Sequence, residues 1–167
     1  SEFVLSLFEQ LDKKGVSAKE KSIIDRCTAA VYEDYQRGGK VPTLCVLREK
    51  LLEQTEKEAK DLALSLELFT SGSLDAFAHE SNVDVKNRMI VYDILDLGKQ
   101  LKTMGLLVIT DAMLNRVTEN WKKGKRTHIF LDEFHVVFEN EYSGAFFNSA
   151  WRRFRKRNAF PNAITQN

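Results

Sequence analysis

Thr127-His128-Ile129-Phe130-Leu131-Asp132-Glu133 is an apolar run of strand length that ends in two adjacent carboxylates. A buried strand of this kind carries its last residues to the edge of a sheet. Paired acids there suit phosphoryl transfer, in which the aspartate helps hold Mg²⁺ and the glutamate orients a water against the γ-phosphate of a nucleoside triphosphate. The run therefore has the form of a Walker B element. Adjacent acids also close ordinary strands, and that solvated strand end stands beside the catalytic reading. No phosphate loop of the form G-x-x-x-x-G-K-[ST] occurs in the 167 residues. Gly39, Gly98 and Gly124 each precede a lysine, but Asp34, Asp93 and Glu119 stand where the first glycine is required.

Working outward, the composition is that of an ordinary soluble chain, 43% hydrophobic and 29% charged, long enough for one packed two-layer domain. A formal charge of +1 gives no global pull toward nucleic acid or membrane, so local charge carries the argument. Cys27 and Cys45 lie in helix-like contexts without metal-ligand spacing, which suggests neither a disulfide framework nor a zinc site and fits a reducing cytoplasm. No apolar run approaches the roughly 18 residues of a membrane span, and Ser1-Glu2-Phe3 does not read as a signal peptide. Any membrane association is expected to run through partners.

The first 69 residues read as a helical subdomain. Phe3, Leu7, Phe8 and Leu11 recur at helical spacing, and Ser17 with Glu20 forms a capping box opening a helix that Gly38-Gly39 ends. Thr43 starts a helix through Leu51, and Thr55 with Glu58 offers a second capping box before Leu62, Leu66 and Phe69. Residues 70–87 read as a long loop or hairpin anchored by Leu74, Phe77, Val83 and Val85. From 88 to 167 the pattern becomes α/β. Arg88–Leu95 reads as a strand buried on both faces, Gly98 to about Trp121 as a crossover helix, then the Walker B strand, a helix from Ala145 to Arg157 and a last strand from Ala163 to Asn167.

Several side chains compete for chemical roles. Asp132 and Glu133 lead. His135 completes Asp-Glu-Phe-His, superficially a helicase D-E-x-H box, but Ile164-Thr165-Gln166 stands where such helicases carry Ser-Ala-Thr. Gln166 is a polar amide at a strand end, suited to bridging a γ-phosphate or attacking water. Trp151-Arg-Arg-Phe-Arg-Lys-Arg157 concentrates positive charge; a guanidinium there can serve as an arginine finger, touch a nucleic-acid backbone, or simply complement a helix end. His79, His128 and His135 share no metal spacing. Phe146, Phe147, Trp151, Phe154 and Phe160 read as core packing ahead of a base-stacking platform, and Asp93 and Asp96 as a strand end.

An ordered set of landmarks joins these features. It comprises Asp25-Arg26-Cys27 with Val31-Tyr32, Phe69-Thr-Ser-Gly-Ser-Leu-Asp-Ala-Phe77, Val91-Tyr-Asp-Ile-Leu-Asp-Leu-Gly98, the run to Asp132-Glu133, Trp151 to Arg157, and Ile164-Thr-Gln166. The set resembles the carboxy-terminal motor domain of the VirB-four type ATPases of conjugation and type IV secretion, particularly those of conjugative transposons, over essentially the whole chain. The resemblance implies a partial RecA-like P-loop ATPase domain with an N-terminal helical subdomain, lacking the phosphate-loop (Walker A) strand. It implies ATP and Mg²⁺ as cofactors, with Asp132 as the Mg²⁺ residue, Glu133 as catalytic base, Gln166 as γ-phosphate sensor, and Arg155, Lys156 or Arg157 as a finger across a subunit boundary.

It also implies a homo-oligomer working with channel and membrane proteins at the cytoplasmic face of the cell membrane, and leaves direct binding of DNA open. Two other functions remain open at this stage, a DNA-pumping or coupling ATPase and a catalytically silent interaction module. Many relatives carry glycines after the Arg-Lys pair, where this chain has Arg157-Asn158-Ala159. The resemblance places the phosphate-loop strand between the Walker B strand and the strand ending in Thr165-Gln166; without it these two are expected to pair unusually or to expose edges that drive oligomerisation, and the chain alone is expected to hydrolyse ATP negligibly.

Overall fold

The computed structural model describes residues 2–12, 15–82, 87–94, 96–135 and 141–165. It divides into two compact units, Ser1–Val91 and Tyr92–Asn167. Val83, Val85, Leu95 and Gln166, which the sequence singles out, lie outside the described residues.

The first unit is helical, with α1 (Glu2–Leu11), α2 (Ala18–Gln36), α3 (Leu44–Leu52), α4 (Lys57–Ser65), α5 (Glu67–Thr70) and a 3-10 turn at Asp75–Phe77. The capping box at the start of α2 forms in both directions: Ser17 Oγ accepts the Glu20 N–H, and Glu20 Oε2 accepts the Ser17 N–H at 2.7 Å. Gly38, at φ +89°, ends α2 in a conformation that costs a residue with a Cβ. Thr43 caps α3 as its spacing predicts. The second predicted box does not form. α4 starts at Lys57 with Glu56 before it and no side-chain cap, and the Glu56 carboxylate is instead held at 2.8 Å by Arg26 of α2, which also donates to Gln54. A tertiary ion pair sets this boundary in place of the local motif.

Ile23, Ile24, Cys27 and Val31 of α2 pack with Phe8, Leu47, Leu51, Ala59, Leu62 and Leu66 into one core. Each large side chain so buried contributes about 1.5–3 kcal/mol. Burial raises the Cys27 thiol pKa, and the thiol lies 3.8 Å from the Lys50 carbonyl.

In the second unit, α6 (Lys99–Lys122) leads through Gly124, at φ +69°, into strand β1 (Thr127–Leu131); α7 (Glu141–Lys156) crosses back to β2 (Ala159–Ala163). β1 and β2 pair directly and in parallel, Thr127 opposite Ala159 and Leu131 opposite Ala163. No strand lies between them. α6 buries Met104, Leu107, Leu114 and Val117 along one face, and α7 buries Phe146, Phe147, Ala150 and Phe154. α7 packs against both α6 and β2.

Three expectations change here. Residues 88–94 form no strand, and Met89 and Val91 are 81% and 82% exposed. An apolar run becomes a strand only where a neighbour completes its ladder, and among the described residues β1 pairs only with β2. The last strand ends at Ala163, where it was expected to begin. Pro161 lies inside β2 without breaking the ladder: Thr127 N–H donates to Asn158 O and Ile164 N–H donates to Leu131 O, so the bonding positions are even-numbered and Pro161 falls between them. Finally, β1 is covered on one face only. Ile129 is buried, whereas His128 and Phe130 are exposed on the other face, where His128 stacks on Phe160 at 5.1 Å.

Candidate nucleotide site at the carboxyl end of the strand pair

Asp132 is the first residue beyond β1 and is exposed. Its Oδ1 accepts the N–H of Glu133 at 3.0 Å, and Glu133 takes φ +50°, a left-handed conformation unusual for a residue with a long side chain. The chain then turns sharply. Phe134 N–H donates to Ile164 O at 3.0 Å and Ile164 N–H donates to Leu131 O at 2.8 Å, tying the acid turn to the segment leading out of β2. The Phe134 ring lies 5.5 Å from both Phe147 and Trp151 of α7, so its packing fixes the turn that presents the two acids. The Glu133 carboxylate reaches His135 Nδ1 at 3.3 Å.

The placement matters chemically. In open α/β sheets, ligands bind beyond the carboxyl ends of parallel strands, and Asp132 and Glu133 stand at that end of β1. Mg²⁺ is commonly held by one or two carboxylates together with waters and substrate phosphates. An exposed Asp132 fits that role; groups of three or more His, Cys, Asp or Glu arranged as a closed metal cage are absent among the described residues.

The sequence-predicted site residues separate in space. Ile164 reaches the acid turn through its backbone, while Gln166 falls outside the described residues. Arg155, Lys156 and Arg157 lie at the other end of the strand pair, just before β2 begins. Arg157 is engaged, its guanidinium donating to the Thr118 hydroxyl of α6, whereas Arg155 and Lys156 are exposed. Asn158 answers the departure from the glycine pattern: at φ +53° it makes the left-handed turn out of α7 that a glycine would otherwise make.

The aromatic set divides. Phe146, Phe147 and Phe154 are buried, but Phe160 is exposed on the sheet. His79 pairs with Asp75 at 3.2 Å. Phe134 was not singled out from sequence, because an aromatic after an acid pair carries no signal of which helix will clamp it. A shallow cavity lined by Phe8, Asp12, Val16, Asp61 and Leu62 belongs to the helical unit and touches none of these candidates.

No protein-family profile and no curated protein sequence matches the chain. Among solved structures, VirB4 of Thermoanaerobacter pseudethanolicus matches with a TM-score of 0.76 and 21% identity over 98% of this chain. The match takes in 48% of that protein, so the chain spans about half its length. The resemblance read from the ordered landmarks is thus borne out in the fold: the chain is similar to VirB4 along nearly all of its length. Among the described residues, no helix is long and apolar enough to cross a membrane.

Proposed function

We propose that this chain is part of an ATP-hydrolysing motor that energises type IV secretion and conjugative DNA transfer as a homo-oligomer beside channel and membrane proteins at the inner face of the cell membrane. One observation carries the reading: two acids stand at the carboxyl end of a parallel strand, on a turn held left-handed at Glu133 and anchored by Phe134. Conformations of this kind cost energy and cluster at functional sites. The fold likeness to VirB4 supports the same reading.

Asp132 would hold Mg²⁺, which when bound neutralises charge on the β- and γ-phosphates. Glu133 orients and deprotonates the attacking water, and Gln166 contacts the γ-phosphate. Arg155 and Lys156 stand at the far end of the strand pair from the acids, so they act on a neighbouring subunit's nucleotide. Arg157, engaged with Thr118, supports that helix end.

The sequence G-x-x-x-x-G-K-[ST] does not occur in the 167 residues, so the proposal assigns turnover to a longer protein that supplies a phosphate loop, and this chain alone hydrolyses ATP negligibly. The test is steady-state ATPase in that longer protein carrying Glu133→Gln. Loss of turnover by about two orders of magnitude or more, with nucleotide binding retained, is expected. Undiminished turnover would sink the reading and favour an interaction module.

A further inference from the structure

The amino-terminal end of the strand pair gathers charge from two distant stretches of sequence. Lys122, Lys123, Lys125 and Arg126 occupy the end of α6 and the turn into β1, and Arg152, Arg155 and Lys156 the end of α7. These stretches lead into Thr127 and Ala159, which face each other across the ladder. One side-chain bond ties the two stretches together, the Arg157 guanidinium donating to the Thr118 hydroxyl, while Asn120 Nδ2 donates to Thr127 Oγ1 at 3.0 Å and holds the α6–β1 turn closed.

All seven cations are exposed, and none forms an ion pair with a described residue. Glu119 is the one exposed acid in the last turn of α6. Cations at helix carboxyl ends complement the macrodipole, but that effect accounts for one or two per helix and not for seven at one edge of a chain whose formal charge is +1. Half-exposed aromatics accompany them. Trp121 in the last turn of α6 is 49% exposed, and Phe160, one residue into β2, is 45% exposed.

We propose that this end of the α/β unit is a docking surface for single-stranded nucleic acid. The cations converge from two stretches of chain on one edge of the strand pair, and a phosphodiester backbone, with one negative charge per nucleotide, is an anion that can engage several of them at once. Trp121, half exposed at the end of α6, offers a stacking face to an unpaired base, whereas the bases of a duplex keep their faces stacked on one another. The surface goes beyond the nucleotide site: it shares Arg155 and Lys156 with the trans role proposed above, and draws its other five cations from the α6–β1 turn and Arg152.

The test is fluorescence anisotropy of the 167-residue chain with a labelled 20-nucleotide oligo-dT, together with Trp emission. Binding on the order of 1–10 μM at low salt is expected, with log K falling against log salt at a slope of about −3, which corresponds to about four neutralised phosphates. Trp emission should be quenched, and the quench should vanish in Trp121→Phe. Replacing Lys122, Lys123, Lys125 and Arg126 together with Gln should weaken binding at least tenfold with an unchanged circular dichroism spectrum; should that variant unfold, Arg152→Gln with Lys125→Gln gives the same readout on fewer positions. Absence of oligo-dT binding, or binding indifferent to these substitutions, overturns the proposal. Equal affinity for a 20-base-pair duplex without a Trp121 quench overturns its single-strand character. Sedimentation with phosphatidylglycerol vesicles in place of oligo-dT binding assigns the surface to a membrane instead.

Discussion

Replacing Glu133 with Gly and, separately, with Ala separates the backbone of the acid turn from its chemistry. Both substitutions remove the carboxylate and its 3.3 Å contact with His135, an exposed pair worth at most a few tenths of a kcal/mol, so that loss cancels between them. What remains is the left-handed backbone at φ +50°. A residue with a Cβ pays about 1–2 kcal/mol there, while glycine pays about 0.5–1 kcal/mol in additional chain entropy. Glycine should therefore be the more stable of the two by about 0.5–1 kcal/mol, the reverse of the order at positions with ordinary negative φ. Urea unfolding followed at Trp151 reads the difference directly, because the Trp151 ring lies 5.5 Å from that of Phe134 in the same turn. An alanine variant as stable as the glycine variant, or more so, would refute the strained turn and with it the main structural support for Glu133 as a poised base.

The remaining predictions concern the second left-handed residue and acid stability. Asn158→Gly should change stability by only a few tenths of a kcal/mol, whereas Asn158→Val should cost on the order of 1–2 kcal/mol, because a β-branched side chain clashes at φ +53°; urea titrations of the two variants check this. In the helical unit, the hydrogen bond from Lys50 holds the Asp34 carboxyl below its ordinary value of 3.8, and that from Arg26 holds Glu56 below 4.5. Folded-state values below the unfolded ones mean that this stabilisation is complete above those ordinary values and is lost as pH falls through the folded ones. Thermal midpoints should accordingly drop on acidification from about pH 5 to pH 3, and less steeply in Lys50→Met, which removes the partner of Asp34.

What the sequence could disclose follows the range of the interaction that fixes each element. The Ser17 capping box and the Gly38 stop are contained within a few residues, and both form as read. Thr55 and Glu58 make an equally good local signal, but Arg26, about thirty positions away, takes Glu56 and moves the helix start. Strands depend still more on distant partners. Residues 88–94 have the composition of a strand and no ladder, while Ala159–Ala163 contains a proline and becomes one because Asn158 and Ile164 bond to β1 on either side of it. Asp132 and Glu133 were legible because strand ends deliver acids wherever an apolar run stops. The clamp on Phe134 was not, since its partners Phe147 and Trp151 belong to a helix whose packing no local pattern encodes.

The parallel βαβ arrangement also explains why acids and bases part company. α6 and α7 each run into the amino end of a strand, so both helix carboxyl ends, and the cations that complement them, arrive at one edge of the pair. Asp132 and Glu133 leave from the other edge. A unit polarised in this way can meet a copy of itself head to tail with Arg155 and Lys156 against the acid turn, a heterologous contact that forms a ring where its rotation closes. The trans roles proposed for Arg155 and Lys156 require that geometry, while the α6–β1 turn contributes the cations that the nucleotide does not need. The two uses of the basic end are therefore separable: Lys122→Gln with Lys125→Gln should weaken oligo-dT binding and leave turnover of the longer protein intact, whereas Arg155→Gln should lower turnover. Loss of turnover in the Lys122 and Lys125 variant would mean that the basic end acts as one nucleotide-facing surface, and the strand-docking role would fall.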